Sequence, residues 1–179
     1  MRTAFFFAVL VSSAALAQGT EAPSEDAAPK GAEATGPEAD AAKELVNKYL
    51  TSVKAKKWAD ATKMLHPQTV TAIAERKKRL GKEDHPMAPQ AYEKTEHYLK
   101  EYKLKGVVKG PVGTFIVETA EDNFQVQEKG LVEGEMATYL VGKKDGKWFV
   151  VDKKRGETFT NDSVKIGYKG YFDKPAAAN

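Results

Sequence analysis

Asp145 and Gly146 separate two runs of β-forming residues, and this pair is the strongest local folding signal in the chain. Asp-Gly is typical of the two-residue turns that connect antiparallel strands, so residues 131–141 and 147–152 are predicted to form a β-hairpin. Other β-rich runs precede it, at residues 115–117, at 124–126 and, alternating with lysines, over 104–108. The second half of the chain therefore predicts a meander of antiparallel strands.

The first half of the chain has the 3.6-residue apolar period of amphipathic helices. One apolar stripe contains Ala42, Leu45, Val46, Tyr49 and Val53. It predicts a helix that starts at Ala41 with Asp40 as its N-cap. Further helices are expected around Trp58, from Pro67 to Gly81, and over about 90–102, where Tyr92, Leu99 and Tyr102 would face inward. Helices followed by strands predict an α+β fold, in which a curved antiparallel sheet packs on helices.

The first 17 residues have the pattern of a secretory signal peptide. Arg2 supplies a positive charge, an apolar core runs on to Leu16, and residues 15–17 form a small-x-small cleavage site. We therefore expect cleavage between Ala17 and Gln18, and an exported protein that is either periplasmic or secreted. The apolar run is too short to span a bilayer and no later segment approaches the length required, so the chain is not expected to be membrane-spanning.

Residues 18–40 are rich in Ala, Glu, Pro and Gly, and they contain no aromatic residue. Such a segment cannot bury enough apolar area to offset its ordering entropy, so it is predicted to be a disordered acidic linker. Its net charge is −5, whereas residues 41–179 hold 26 basic and 19 acidic residues, a net charge of +7. The remaining chain is divided into an α+β domain over 41–155 and a C-terminal extension over 156–179.

The domain carries three short sequence patterns that suggest a known fold. They are Lys-Trp-Ala-Asp-Ala at 57–61, Leu-His-Pro at 65–67, and Asp-Gly-Lys-Trp-Phe-Val-Val at 145–151. With the leading helix, they resemble the nuclear transport factor two-like superfamily over most of 41–155, and especially its secreted bacterial members of unassigned function. The resemblance implies an α+β cone whose bent sheet wraps a long helix. That superfamily includes isomerases, dehydratases, small-ligand binders and dimerisation modules, so the fold alone does not select an activity.

Composition excludes several classes of function. The chain contains no cysteine, which excludes disulfides and thiolate chemistry. It has no Gly-rich phosphate loop and no nucleophile elbow, and no cofactor is expected. For an exported basic domain the natural polyanions are cell-surface polymers and phospholipid headgroups, so no nucleic-acid partner is expected. His66, His85 and His97 have no paired spacing, so no metal site is predicted. The leading hypothesis is an exported non-enzymatic domain that binds a partner protein or a small apolar ligand in the cell envelope.

One alternative hypothesis is an enzyme of the isomerase or hydrolase type. Catalytic members of the superfamily tend to use a carboxylate with a tyrosine or histidine inside the cone. By that resemblance the candidate residues are Asp60, His66, Tyr49 and Tyr139. Asp60 or His66 would act as the base, and a tyrosine would orient an oxyanion.

Another alternative is a basic surface that adheres to anionic envelope polymers. Its lysines would be Lys143, Lys144, Lys153 and Lys154, which flank the predicted hairpin. Tyr168, Tyr171 and Phe172 are interspersed with glycines and lysines in the extension, and they would either bind a glycan or partner or dock on the sheet. Trp148 is expected to be the buried anchor of the hairpin.

Overall fold

The computed structural model of this chain describes residues 33–81, 85–89, 97–125 and 130–173. Three helices come first: α1 (Pro37–Lys54), α2 (Trp58–Lys63) and α3 (Pro67–Leu80). Four strands follow, β1 (His97–Lys109), β2 (Phe115–Gln125), β3 (Gly130–Lys144) and β4 (Lys147–Arg155), and the last element is helix α4 (Asn161–Gly167). The predicted α+β class is confirmed. No helix in the described ranges combines the length and apolar character of a membrane span.

The strands form one antiparallel sheet in the order β1-β2-β3-β4. Asp145 and Gly146 both have positive φ values, 51° and 73°, as a tight hairpin turn between β3 and β4 requires. Both edges of the sheet are partly covered by the chain itself. Glu33 bridges to Val108 on β1, and Leu65 bridges to Val150 on β4. The antiparallel pairing of β3 with β4 across this turn confirms the predicted hairpin, which forms one half of a four-stranded meander.

One face of the sheet packs against α1. Of the predicted stripe, the helix buries Ala42, Val46, Tyr49 and Val53, while Leu45 is partly buried; Leu50 is buried as well. These side chains form a core with residues of alternate positions on the strands, including Val117, Ala137, Tyr139, Val141 and Val150. Trp148 is half-buried at the margin of this core, where its ring meets that of Phe115 at 5.5 Å between centroids. It is thus a marginal core residue and not a fully buried anchor.

The opposite face of the sheet is covered by the C-terminal segment. Phe159 and Val164 pack on Ile116, Leu140 and Val151 to form a second core. Thr160 begins α4 with a capping box, in which it exchanges hydrogen bonds with Ser163. Residues up to 173 are therefore part of the folded domain, which extends beyond the predicted boundary at 155.

The helix predicted over about 90–102 is wrong for its second half, because residues 97–102 belong to β1. Two irregularities interrupt the register of β1, between Leu99 and Glu101 and between Leu104 and Gly106. Each inserts a residue, so the inward positions are spaced by three residues as well as by two. Leu99 and Tyr102 therefore have a helical spacing within a strand. Residues 90–96, which include Tyr92, lie outside the described residues.

The predicted linker is too long at its C-terminal end. The Ala34 N–H donates to the Val107 carbonyl at 2.7 Å, and α1 begins at Pro37, not at Ala41. Proline is favoured at the first helical position, and Glu38 and Asp40 suit the positive end of the helix dipole. Asp40 is consequently a first-turn residue and not the N-cap. The predicted signal peptide, its cleavage site and residues 18–32 lie outside the described residues.

Candidate functional site

A buried ion pair lies on the sheet face that α1 covers. Lys153 of β4 donates to the Glu121 Oε2 atom of β2 at 2.6 Å. The two side chains are 2% and 0% exposed. Tyr139 of β3, the strand between β2 and β4, is opposite Lys153 and donates to Glu121 Oε1 at 2.5 Å. Three neighbouring strands therefore bring one carboxylate, one ammonium group and one phenol together in the interior.

Two further side chains complete the hydrogen bonds of Glu121. Asn123 donates to Oε2 at 3.3 Å, and the Thr119 hydroxyl shares its one proton between Oε1 and the Ala137 carbonyl, both at 3.2 Å. Burial favours the neutral carboxyl group, but the charge of Lys153 and these hydrogen bonds outweigh burial and lower the pKa of Glu121. Glu121 is thus a fixed negative charge at neutral pH. A buried carboxylate that pairs with an ammonium group and accepts hydrogen bonds on both oxygens is poorly placed to take a proton from a substrate.

The four candidate catalytic residues do not meet in one site, although two of them are in contact. Tyr49 and Tyr139 meet edge to face at 6.1 Å between ring centroids. Asp60 instead lies on the exposed side of α2, where it pairs with Lys63 at 3.0 Å. The hydrogen bond and charge of Lys63 lower the pKa of Asp60. An exposed, ion-paired aspartate on a separate helix cannot act with these tyrosines as the predicted base.

His66 is buried, at 1% exposure, but it has a structural position at the start of α3. Its Nδ1 accepts from the Gln68 N–H at 3.2 Å, which caps the helix. Its Nε2 lies 3.0 Å from the Tyr171 carbonyl, and the two rings stack at 5.1 Å. Since Nδ1 accepts, Nε2 carries the proton and donates to that carbonyl. Burial, assisted by the charge of Lys144, lowers the pKa of His66.

The predicted basic patch is largely neutralised within the chain. Lys143 pairs with Glu38 at 2.5 Å, and Lys154 lies 3.8 Å from Glu157. The predicted surface position of Lys153 is wrong, because this side chain lies in the interior with Glu121. The alternation of the strand explains this, since Lys153 is directly opposite Tyr139 and shares its inward face. Two backbone hydrogen bonds are the main cause of the lowered pKa of Asp173, and the charge of the nearby Lys144 lowers this pKa further.

The aromatic residues of the extension dock on the sheet instead of forming a free surface. Tyr168, Tyr171 and Phe172 all pack against the second core. The Tyr168 hydroxyl donates to Asp152, and burial with this contact raises its pKa. Asp173 accepts the backbone N–H groups of Asp145 and Gly146, both at 2.9 Å, so the segment also caps the β3–β4 turn. The structure therefore supports the hypothesis that these aromatic residues dock on the sheet.

Polar side chains that face solvent line a cleft between α1 and the edge strand β1. The cleft has a volume of about 500 Å³ and is lined by Asn47, Thr51, Lys54, Glu101, Tyr102 and Leu104. The first three residues are spaced by four and three along α1, so they share one face of the helix. A second cleft, of about 430 Å³, lies at α3 and contains Arg76, Arg79 and His85.

Sequence reasoning missed both Glu121 and the α1–β1 cleft. Thr119, Glu121 and Asn123 follow Val117 at intervals of two, and this period would have placed them on the buried face of β2. The cleft depends on contacts between residues about 50 positions apart, such as Thr51 and Tyr102. No local pattern signals such a pair.

Comparison with protein-family models finds no family that matches this chain, and no curated protein matches it at a significant level. Among the described residues, no group of three or more His, Asp or Glu side chains is arranged to hold a metal ion. The function therefore has to be argued from the geometry of the domain.

Proposed function

We propose that this chain is an exported, non-enzymatic domain that binds a component of the cell envelope, and that its fold is related to the nuclear transport factor two-like superfamily. The export part of the proposal is supported by the charged start, apolar core and Ala-Leu-Ala site of residues 1–17. The relation to the superfamily is supported by the helix-then-meander order and by the burial of α1 against one face of the sheet.

The observation that carries the binding proposal is the division of polar groups between the inside and the outside of the domain. Inside, Glu121 accepts hydrogen bonds from Lys153, Tyr139 and Asn123, and it is held as an ion by Lys153. Outside, the α1–β1 cleft presents hydroxyl, amide and charged groups to solvent. The interior groups are thus committed to the fold, while those of the cleft remain accessible to a ligand. Concave sites with a few convergent polar groups are the usual places for binding.

Binding is tested by co-sedimentation of the full chain with purified envelope fractions. Thr51→Trp fills the α1–β1 cleft, and Thr71→Trp makes the same change at an exposed position of α3. We expect the Thr51→Trp protein to sediment less than wild type and the Thr71→Trp protein to behave like wild type. Equal sedimentation of all three proteins, or none by wild type, would contradict the proposal.

Export is tested separately by intact-mass analysis of the protein recovered from the envelope. The expected mass is that of a chain starting at Gln18. A chain that retains Met1 would overturn the proposed localisation, whatever the outcome of the binding experiment.

A further inference from the structure

We propose that the α1–β1 cleft is a saccharide-binding site. This inference rests on the proposed function and gives the chemical class of its ligand. It follows from the kinds of polar group in the cleft, from their charge balance, and from the irregular edge of β1.

The cleft offers both donors and acceptors, which a sugar requires because each hydroxyl group does both. The Tyr102 hydroxyl donates to Asn47 Oδ1 at 2.8 Å and lies 2.7 Å from the Thr51 hydroxyl. Tyr102 has one proton to donate, so Thr51 is the donor in the second contact. The amide N–H₂ of Asn47 then remains available at the surface. One hydroxyl group of a pyranose can accept a hydrogen bond from this amide, and the neighbouring hydroxyl group can donate to an acceptor beside it.

The charged groups of the cleft are balanced. Lys54 donates to Glu101 Oε1 at 2.7 Å, and both side chains are largely exposed. The ammonium group keeps further protons to donate and the carboxylate keeps further lone pairs to accept. The lining residues carry one positive and one negative charge, so the lining itself gives no net attraction to a phosphate or a polyanion. One carboxylate is too few for a metal ion, and one leucine is too little for a large apolar ligand.

Tyr102 is held in place before any ligand arrives. Its hydroxyl contacts Thr51, the Asn47 side chain and, at 3.2 Å, the Asn47 carbonyl. The half-buried ring is therefore fixed between α1 and β1. A preorganised aromatic ring avoids the entropy cost of ordering on binding, and it provides an amphipathic surface for the ring of a sugar.

The alternative ligand for this cleft is an extended peptide that hydrogen-bonds to the backbone of β1. The structure of this edge strand disfavours such pairing. The register is interrupted on both sides of the cleft, between Leu99 and Glu101 and between Leu104 and Gly106. Lysines also follow the strand, at positions 100, 103 and 105. Bulges and lysines are the features that prevent strand addition at a sheet edge. A ligand bound through side chains, not through the backbone of β1, fits this edge better.

The experiment is an NMR titration of the full, ¹⁵N-labelled chain with three neutral oligosaccharides: cellotetraose, maltotetraose and N-acetylated chitotetraose. At least one is expected to shift the amide signals of Asn47, Thr51 and Glu101 in a saturable manner. Glu101→Gln should weaken that binding about tenfold, because a charged hydrogen-bond acceptor is lost. Asp60→Asn is the matched control, since it removes the carboxylate of another exposed lysine pair, and it should leave binding unchanged.

Absence of cleft shifts with all three sugars would overturn the inference, as would equal effects of Glu101→Gln and Asp60→Asn. A fourth titration uses an extended Ala/Glu peptide, and shifts along β1 with that peptide alone would also overturn it. Envelope co-sedimentation that stays sensitive to Thr51→Trp after these results would show that only the ligand class is wrong. Sugar binding without any envelope co-sedimentation would instead contradict the proposed function.

Discussion

The two faces of the sheet are stabilised in different ways. The face beneath α1 combines large apolar side chains with the Glu121–Lys153 ion pair. The face beneath the C-terminal segment is packed by aromatic and aliphatic side chains. Its polar contact from the buried Thr138 to the Glu157 carbonyl joins neutral groups, and the charged Asp152 and Asp173 lie at its margins. Breaking one side of a buried ion pair leaves an uncompensated charge, whereas changing an apolar contact alters only packing. The α1 face should therefore be the less tolerant of substitution.

The largest loss of stability is expected for Lys153→Met, which leaves Glu121 buried without its cation. Removing one partner of a buried ion pair costs about 3–5 kcal/mol, a large share of a typical domain's free energy of unfolding. Urea unfolding of the variant and wild type measures this loss. The double variant Glu121→Leu/Lys153→Met should be more stable than Lys153→Met alone, because no unpaired charge remains. A single-variant loss below about 1 kcal/mol would remove the proposed difference between the faces.

A smaller loss is expected for Gly142→Ala on the opposite face. A Cβ atom at position 142 would lie 2.3 Å from Cδ1 of Phe172, so the ring would have to move. Overpacking of this kind costs about 1–3 kcal/mol. In a Phe172→Ala background the same change should cost less, or stabilise, because alanine is otherwise preferred to glycine in a strand. Equal costs in the two backgrounds would show that Phe172 is not held over Gly142.

His66 should make stability depend on pH at the junction of α3 with the C-terminal segment. Its pKa is lowered in the folded state from an ordinary value of 6.5, so the unfolded chain binds the proton more tightly. Its contribution to stability is complete above pH 6.5 and is lost as the pH falls towards the folded pKa. One proton gives a slope of at most about 1.4 kcal/mol per pH unit.

The comparison variant is His66→Asn, which retains an N-cap residue without the titration. Subtracting its stability from that of wild type removes the losses that Glu121 and Asp173, whose pKa values are also lowered, contribute at more acidic pH. The difference should decline below about pH 6.5. A constant difference down to about pH 5 would contradict the buried, neutral state of His66.

The smallest effect is expected for Asp60→Asn, which breaks an exposed ion pair. Lys63 and Asp60 are largely solvated, and such pairs contribute little to folding. The variant should unfold at the same urea concentration as wild type. A clear loss of stability would show that α2 depends on this pair. It would also show that an ion pair of this chain can contribute to stability without being buried.

Sequence periodicity predicted the parts of the fold in which one residue pattern determines one element. The apolar stripe from Ala42 to Val53 determines helix α1, and the Asp-Gly pair determines the β3–β4 turn. Periodicity failed at β1, because the register shift between Leu99 and Glu101 gives Leu99 and Tyr102 the spacing of a helix. Composition also failed for Lys153, since a lysine in a charged run is ordinarily exposed. Only the strand register, which places Lys153 opposite Tyr139 on the inward face and within reach of Glu121, overrides that expectation.

The candidate site was less predictable than the fold because its residues are distant in sequence. Asp60 and His66 were linked by the resemblance to a superfamily, but Asp60 lies on the exposed side of α2 and His66 caps α3. The α1–β1 cleft instead arises from the packing of the first helix on an edge strand. Its polar residues are ordinary surface residues when each is considered in its local sequence.

The central claim is that interior polar groups maintain the fold while those of the α1–β1 cleft bind a ligand. The most direct measurement is binding of three folded proteins to the same envelope fraction: wild type, Glu101→Gln and Glu121→Leu/Lys153→Met. We predict that the interior double variant binds like wild type and that Glu101→Gln binds about tenfold more weakly. Loss of binding in the double variant, with Glu101→Gln unaffected, would contradict the claim and make the buried ion pair the functional site.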